Sequence, residues 1–470
     1  MAELSISGNP SIAGAVGVAR YDLTVPADSR RALAAGWLWL ALCALLASGL
    51  FSVLLVLSRA PLVKDVFPLV DFFRVALVVH VDLSVLVWFA AFAGLLWTIN
   101  GSARVLWLGW IGLGAAALGA LGFCLAPFAD AGVPLMSNYI PVLDGALFLR
   151  ALVLFAIACA IVVLRALLTA PRIGTRPGGS AALRFGLNAA AVSAAVALIA
   201  FAWSYAAVPA SVERKAYFEV LFWGGGHVLQ FTWTLLMFVA WLWLADAIGA
   251  RNPLSPRIAI LLFAIALAAV FATPLIYLAY DVTSVQHYRM QTWLMRVGGG
   301  LAIVPFAGAV AFSVLSAGNR SASTAPLRSA LLWSLALFGA GGLIGLAISG
   351  SNVKIPAHYH GAIVGVTLAL MGLVYHLLPR MGFARPQGRL ATLQPALYGA
   401  GQLMHITGLV WSGGYGVQRK VAGADQVLRG ADQIAAMGLM GLGGLLAVLG
   451  GLLFAVVVLR SMLWTSSTSR

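Results

Sequence analysis

The sequence predicts an all-α fold: a polytopic membrane bundle of about twelve transmembrane helices, with the N- and C-termini on the same, inner side. Three observations predict it. Of the 470 residues, 62% are hydrophobic and 9% charged, and the mean hydropathy is +0.98; soluble domains carry roughly 25% charged residues. The apolar residues gather in stretches long enough to cross a bilayer, which takes about 20 residues as a helix. The basic residues are shared unequally between alternate connections, as the positive-inside rule requires of a multi-span chain.

In order along the chain, the stretches lie at 33–57, 70–97, 104–126, 143–167, 182–206, 218–245, 256–279, 291–316, 327–350, 355–379, 393–415 and 434–461. Residues 1–32 are polar and lack the pattern of a cleavable leader. They read as a cytoplasmic tail preceding a retained first span. Residues 33–461 then form one membrane domain and 462–470 a second cytoplasmic tail. With the N-terminus inside, the inner segments hold 17 of the 29 Lys and Arg but only four of the 14 acids. Topology therefore accounts for the net charge of +15, and no nucleic-acid partner is expected. The expected compartment is a bacterial-type inner (plasma) membrane. Cys43, Cys124 and Cys159 fall inside spans and form no CxxC, which argues against disulfides and thiolate clusters. The chain also has no CxxCH for covalent heme attachment.

Topology turns histidines into depths. His80 lies about ten residues into the second span and His227 about nine into the sixth, while His358 and His360 lie just inside the tenth. At 1.5 Å rise per residue all four fall in the outer half of the bilayer. His358 and His360 are separated by about 200° around a helix. They cannot grip one metal from one face, but each can ligate a different centre. Ionisable groups within lipid mark functional sites, neutral imidazole suits iron, copper and zinc, and heme iron takes axial histidine. His287 (loop after the seventh span, or start of the eighth), His376 (inner end of the tenth) and His405 (middle of the eleventh) read as outside this group. Two other readings stay open: interhelical hydrogen bonding by these histidines, and a twelve-span transporter, although transporters favour broken helices and midplane charges.

At these residues the chain resembles catalytic subunits of the heme–copper oxidoreductase superfamily, which holds cytochrome c oxidase subunit I-like terminal oxidases and nitric-oxide reductase large subunits. The resemblance spans essentially the whole length. His358-Tyr359-His360 is similar to the family's His-x-His, Val79-His80-Val81-Asp82 to its second-span histidine segment, and Leu221-Phe222-Trp223-Gly224-Gly225-Gly226-His227-Val228-Leu229-Gln230 to its Phe-Trp-x-x-Gly-His segment. Asn138-Tyr139-Ile140-Pro141-Val142-Leu143 resembles a loop of the superfamily, and Arg419-Lys420 the basic pair that meets heme propionates. The resemblance implies two hemes: a low-spin bis-histidine heme on His80 and His360, and a high-spin heme on His358. It also implies a second metal, copper or non-heme iron, at His227. Implied partners are the lipid bilayer, an electron-donating cytochrome c or cupredoxin-type subunit, and a diatomic gas.

The departures bear on the chemistry. Where the family places two adjacent histidines, the seventh span ends in Pro274-Leu275-Ile276-Tyr277-Leu278-Ala279-Tyr280-Asp281. Tyr277 and Tyr280 become the catalytic candidates beside His227, with Asp281 or a refolded His287 as auxiliary ligands. The position of the redox tyrosine of many oxidases is Phe231, and the carboxylate position of nitric-oxide reductases is Gln230. Acids gather at the outer ends (Asp144, Glu213, Glu219, Asp281), with Asp246 alone near the inner ends, so protons are expected from outside without pumping. Arg74, Asp82, Arg150 and Arg296 read as structurally paired charges within the membrane. The expected activity is electron transfer from a low-spin to a high-spin heme that reduces O2. The alternatives are nitric-oxide reduction and a heme-carrying subunit without reduction chemistry.

Overall fold

The computed structural model describes residues 20–57, 72–251, 253–318, 321–349, 352–419, 428 and 430–463. Twelve long helices run through them. In chain order they are α1 (Arg30–Leu57), α2 (Phe72–Asn100), α3 (Leu106–Ala129), α4 (Ala146–Leu168), α5 (Gly179–Ala207), α6 (Arg214–Ala247), α7 (Pro256–Ala279), α8 (Val285–Ser316), α9 (Ala322–Leu346), α10 (Lys354–Leu377), α11 (Arg389–Gly414) and α12 (Ala431–Leu463). Eleven are long and apolar enough to cross a membrane. The twelfth, α11, is 26 residues long but carries Gln394, Gln402 and His405 along its length. The predicted all-α membrane bundle is the fold observed.

Helices consecutive in the chain pair most extensively: α11 with α12, α9 with α10, α5 with α6, and α3 with α4. Short connections between antiparallel neighbours produce this pattern. Small residues set the closest approach. A methyl group added at Gly401 of α11 or Gly443 of α12 would meet the backbone of the other helix.

The bundle is layered by burial. In the most apolar stretch of α6, 83% of residues are buried, and in α10, 78%, against 61% in α2 and 56% or less in the rest of the eleven. The two innermost helices are therefore those that carry His227 and the His358/His360 pair.

At one end of the bundle, arginines are pinned to backbone carbonyls. Arg184 donates to Asn100 O (3.1 Å) and Arg165 to Ser102 O (3.1 Å). The segment before α1, read from sequence as part of a tail, packs here from residue 20 onward. The Tyr21 hydroxyl donates to Leu254 O (2.7 Å), the Trp243 indole donates to Asp22 (2.7 Å), and Arg380 pairs with Asp22. At the other end, β1 (Pro134–Leu135) and β2 (Val142–Leu143) form a small antiparallel ribbon between α3 and α4. Its tip carries Asn138 and Tyr139 back over the bundle.

Candidate functional site

His80 sits in α2 two residues before the π-helical turn Asp82–Val87. Such turns widen the helix locally and free a carbonyl. The freed carbonyl of His80 accepts from Ser84 Oγ (2.6 Å) and from Ser48 Oγ (3.1 Å). The imidazole Nδ1 faces Ser48 O at 3.0 Å. A carbonyl only accepts, so Nδ1 carries the proton and Nε2 keeps its lone pair.

The same device recurs on α10. His358 Nδ1 lies 2.7 Å from Gly341 O of α9, which again leaves Nε2 as the basic nitrogen. His360 points to the other side of α10, and its ring centroid lies 4.7 Å from that of His405 on α11, at 57° between planes. His405, which the sequence reading set outside the histidine group, therefore belongs beside His360. Its depth along α11 was read correctly, but the lateral docking of α11 against α10 decides the neighbour.

His227 is buried at 3% exposure in α6, with Nδ1 2.7 Å from Trp223 O. Its Nε2 faces the Tyr139 hydroxyl at 3.0 Å. Three glycines precede it because three rings press on this turn. An added Cβ at Gly224 would strike Tyr277, at Gly225 Phe201, and at Gly226 Tyr139. Burial pushes the Tyr139 phenol well above its ordinary pKa, so it stays protonated. The ribbon tip is held by Glu219, which accepts from the Asn138 backbone N–H (3.0 Å) and from its side chain.

Tyr277 is buried, and its hydroxyl bonds Ser204 Oγ (2.7 Å) and Ala200 O (3.1 Å). Its ring meets His287 edge-on at 4.6 Å. His287 lies in the first turn of α8, the second of the two placements that the sequence allowed, and packs against Tyr277. Ser284 caps α8 by accepting from His287 N (3.1 Å), and the side chain is 1% exposed. Among the described residues its Nε2 has no hydrogen-bond partner, nor has either amide atom of Gln291 one turn later or the hydroxyl of Thr273 on α7. Buried polar atoms are ordinarily paired. Four orphaned atoms on two adjacent helices therefore mark an unpaired polar cluster around His287, and the sequence reading missed Gln291 and Thr273 altogether.

Other candidates lie apart. Tyr280 caps the end of α7 and is 38% exposed. Arg419 donates to Asn138 Oδ1 (3.2 Å) and engages Tyr359, between the two α10 histidines. Lys420 lies outside the described residues. Asp82 is 1% exposed and neither of its carboxylate oxygens has a hydrogen-bond partner among the described residues, so the expected pairing is not seen there. Arg296 lies over the Trp293 ring at 5.8 Å. The outer acids have structural tasks. Asp144 pairs with Arg214 (2.8 Å), Glu213 caps α6, and Asp281 caps the turn at Thr283. The backbone N–H groups of Lys215 and Ala216 hold Glu213 below its ordinary value, and Thr283 does the same for Asp281. Both are poor proton reservoirs at neutral pH.

The chemistry of these donor sets suits two hemes better than a second metal. His80 and His358 have the tautomer an axial imidazole needs, with Nδ1–H anchored on a carbonyl. His227 has it too, but no group of three His, Cys, Asp or Glu residues converges as a metal centre among the described residues.

Residues 32–453 match the family described as Cytochrome C and Quinol oxidase polypeptide I. An uncharacterized protein of Rickettsia prowazekii (strain Madrid E) is 28% identical over 500 residues, covering 92% of this chain and 96% of its own. One from Aquifex aeolicus (strain VF5) is 25% identical over 361 residues, covering 76% and 88%. A cryo-EM structure of a heme-copper terminal oxidase dimer superposes at a TM-score of 0.65 over 93% of this chain and 85% of its own, with 16% identity; that likeness is one of fold. By the match over most of its length, and with the bundle and histidine placement described above, the chain belongs to the cytochrome c and quinol oxidase polypeptide I family.

Proposed function

We propose that the protein is a terminal oxidoreductase of the bacterial inner membrane that passes electrons from a low-spin heme at His80 and His360 to a high-spin heme at His358, where O2 is reduced. The observation that supports this reading is that α10 turns its two histidines to opposite sides, His358 anchored on Gly341 O of α9 and His360 against His405 of α11. When bound, the hemes would supply one-electron iron couples and one open coordination position. The chain's own residues orient and enclose. Ser48 and Gly341 fix the rings, α10 separates the two sites by presenting its histidines on opposite faces, and Arg419 at the outer end is placed for a propionate carboxylate. The Tyr139 hydroxyl at His227 Nε2 and the buried Tyr277 hydroxyl would be the phenols available to hold or deliver a proton there. Electrons would come from a docking cytochrome c or a cupredoxin-type subunit, because the chain has no motif for attached heme.

A second reading, a heme-carrying subunit without gas reduction, is favoured by one observation: Tyr139 already occupies the hydrogen-bonding direction of His227 Nε2. Nitric-oxide reduction remains the alternative chemistry for the same hemes. The deciding experiment combines metal analysis with reduced-minus-oxidised and carbon monoxide difference spectra of the purified protein. Two irons with one copper support oxygen reduction, three irons support nitric-oxide reduction, and two irons alone support the subunit without reduction chemistry. Absence of any heme band overturns the proposal.

A further inference from the structure

Four glycines lie close together in α9: Gly339, Gly341, Gly342 and Gly345. Their surroundings differ. A Cβ added at Gly339 or Gly342 would meet nothing within 4 Å. At Gly341 it would strike the α10 backbone at Ala362 and Gly361, and one added at Gly361 would strike Gly341 in return. That pair is a helix crossing, where small residues let two backbones touch within a membrane.

Gly345 meets something else. It lies one turn after Gly341 on the same face of α9, and it faces a single side chain. The three heavy atoms nearest its added Cβ all belong to the His358 ring: Nδ1 at 2.7 Å, Cε1 at 2.9 Å and Cγ at 3.5 Å. Non-bonded carbons settle about 3.5–4.0 Å apart, so the imidazole fills the volume that any side chain at 345 would need. The ring is not free to step aside. The Gly341–Gly361 crossing fixes its backbone end, and Nδ1 donates to Gly341 O at 2.7 Å. An imidazole turns only about two bonds, so moving Nδ1 swings Nε2 as well. Helix crossing explains Gly341 and Gly361, but not a glycine whose near neighbours are one imidazole.

We propose that Gly345 is a positioning residue for His358: carrying no side chain, it admits the imidazole to the place where Nδ1–H reaches Gly341 O, with Nε2 left as the ligand nitrogen for the high-spin heme. The proposal rests on the heme reading above. A side chain at 345 would push the ring off the Gly341 carbonyl. An axial imidazole deprived of the acceptor behind it is less basic and less firmly oriented, which weakens its bond to iron and favours the reduced state.

The test uses full-length protein in detergent carrying Gly345→Ala, compared with Gly342→Ala, which adds the same methyl group where nothing lies within 4 Å. The readouts are the iron–histidine stretching band of the reduced high-spin heme, its midpoint potential, and the low-spin band of the reduced-minus-oxidised spectrum. For Gly345→Ala we expect the stretching band to fall in frequency and the high-spin midpoint to rise, with the low-spin band unchanged. Gly342→Ala should match the unaltered protein in all three. Loss of the high-spin heme alone from Gly345→Ala also supports the role. Unaltered high-spin signals in Gly345→Ala, or equal shifts in both variants, overturn this proposal alone. Loss of both hemes from Gly345→Ala overturns it too, because Gly345 would then be a general packing residue. Absence of heme from the unaltered protein overturns it together with the reading beneath it.

Discussion

The surroundings of α10 and those of α6 use the same imidazole tautomer to different ends. On α10, His358 is anchored by a carbonyl and flanked by a glycine-lined helix, and His360 faces a second imidazole across α11. On α6, His227 is anchored just as firmly, but phenols and an indole surround its other edge: Tyr139, Trp223 and, one turn back, Tyr277. Anchoring one nitrogen is thus a requirement shared by all these sites, and it does not by itself specify a metal. What differs is the field of groups around the free nitrogen. Near α6 it holds the Tyr139 hydroxyl, and near α10 the His360 ring lies against a second imidazole.

The largest expected effect breaks the α10 side. His80→Ala removes the proposed axial imidazole and leaves Ser48 without the ring it positions, while the bond from Ser84 Oγ to the residue-80 carbonyl is kept. We expect complete loss of the low-spin band in the reduced-minus-oxidised spectrum, with the carbon monoxide-sensitive band of the His358 site retained. An unchanged low-spin band would show that His80 is a packing histidine and that the comparison with His227 has been drawn the wrong way round.

A middle-sized effect sharpens the α6 side. Gln291 is 0% exposed with both amide atoms unpaired, and His287 Nε2 shares that condition. An unsatisfied buried polar group costs about 1–3 kcal/mol. Gln291→Leu removes two such atoms at similar volume, so it should raise thermal stability by an amount of that order while lowering turnover, the usual exchange at a functional pocket. A fall in stability measured by thermal unfolding would mean that the amide is satisfied by water or a ligand when the protein is in the membrane.

Much of this was legible in the chain, and the exceptions have physical causes. Span positions followed from hydropathy, and the expectation that His80, His227, His358 and His360 share a depth follows from them because helical rise is constant. The start of α8 was placed at 291, yet the helix begins at Val285. Hydropathy finds where a helix becomes apolar, and the first turns here are Gln286, His287, Tyr288 and Arg289. The capping residue Ser284 was the available signal for a helix beginning there, and it would have decided between loop and helix start for His287. No one-dimensional signal announced that His405 meets His360 or that Tyr139 covers Gly226. Both depend on how distant segments dock. The Gly224–Gly226 run hinted at crowding without naming the rings that cause it.

The smallest expected effects separate two tyrosines that looked equivalent in sequence. Tyr277 is buried with its hydroxyl bonded to Ser204 Oγ and Ala200 O, whereas Tyr280 caps α7 and is 38% exposed. Removing the Tyr277 hydroxyl with Phe strands the Ala200 carbonyl and the Ser204 hydroxyl, at a net cost of about 1 kcal/mol. Tyr280→Phe falls among surface substitutions that stay within roughly 0.5 kcal/mol of neutral. Thermal unfolding should therefore rank Tyr277→Phe clearly below Tyr280→Phe, and turnover should follow the same order. If Tyr280→Phe were the more damaging in turnover with unchanged stability, the reacting space would lie toward the end of α7, and the polar cluster around His287 and Gln291 would be structural.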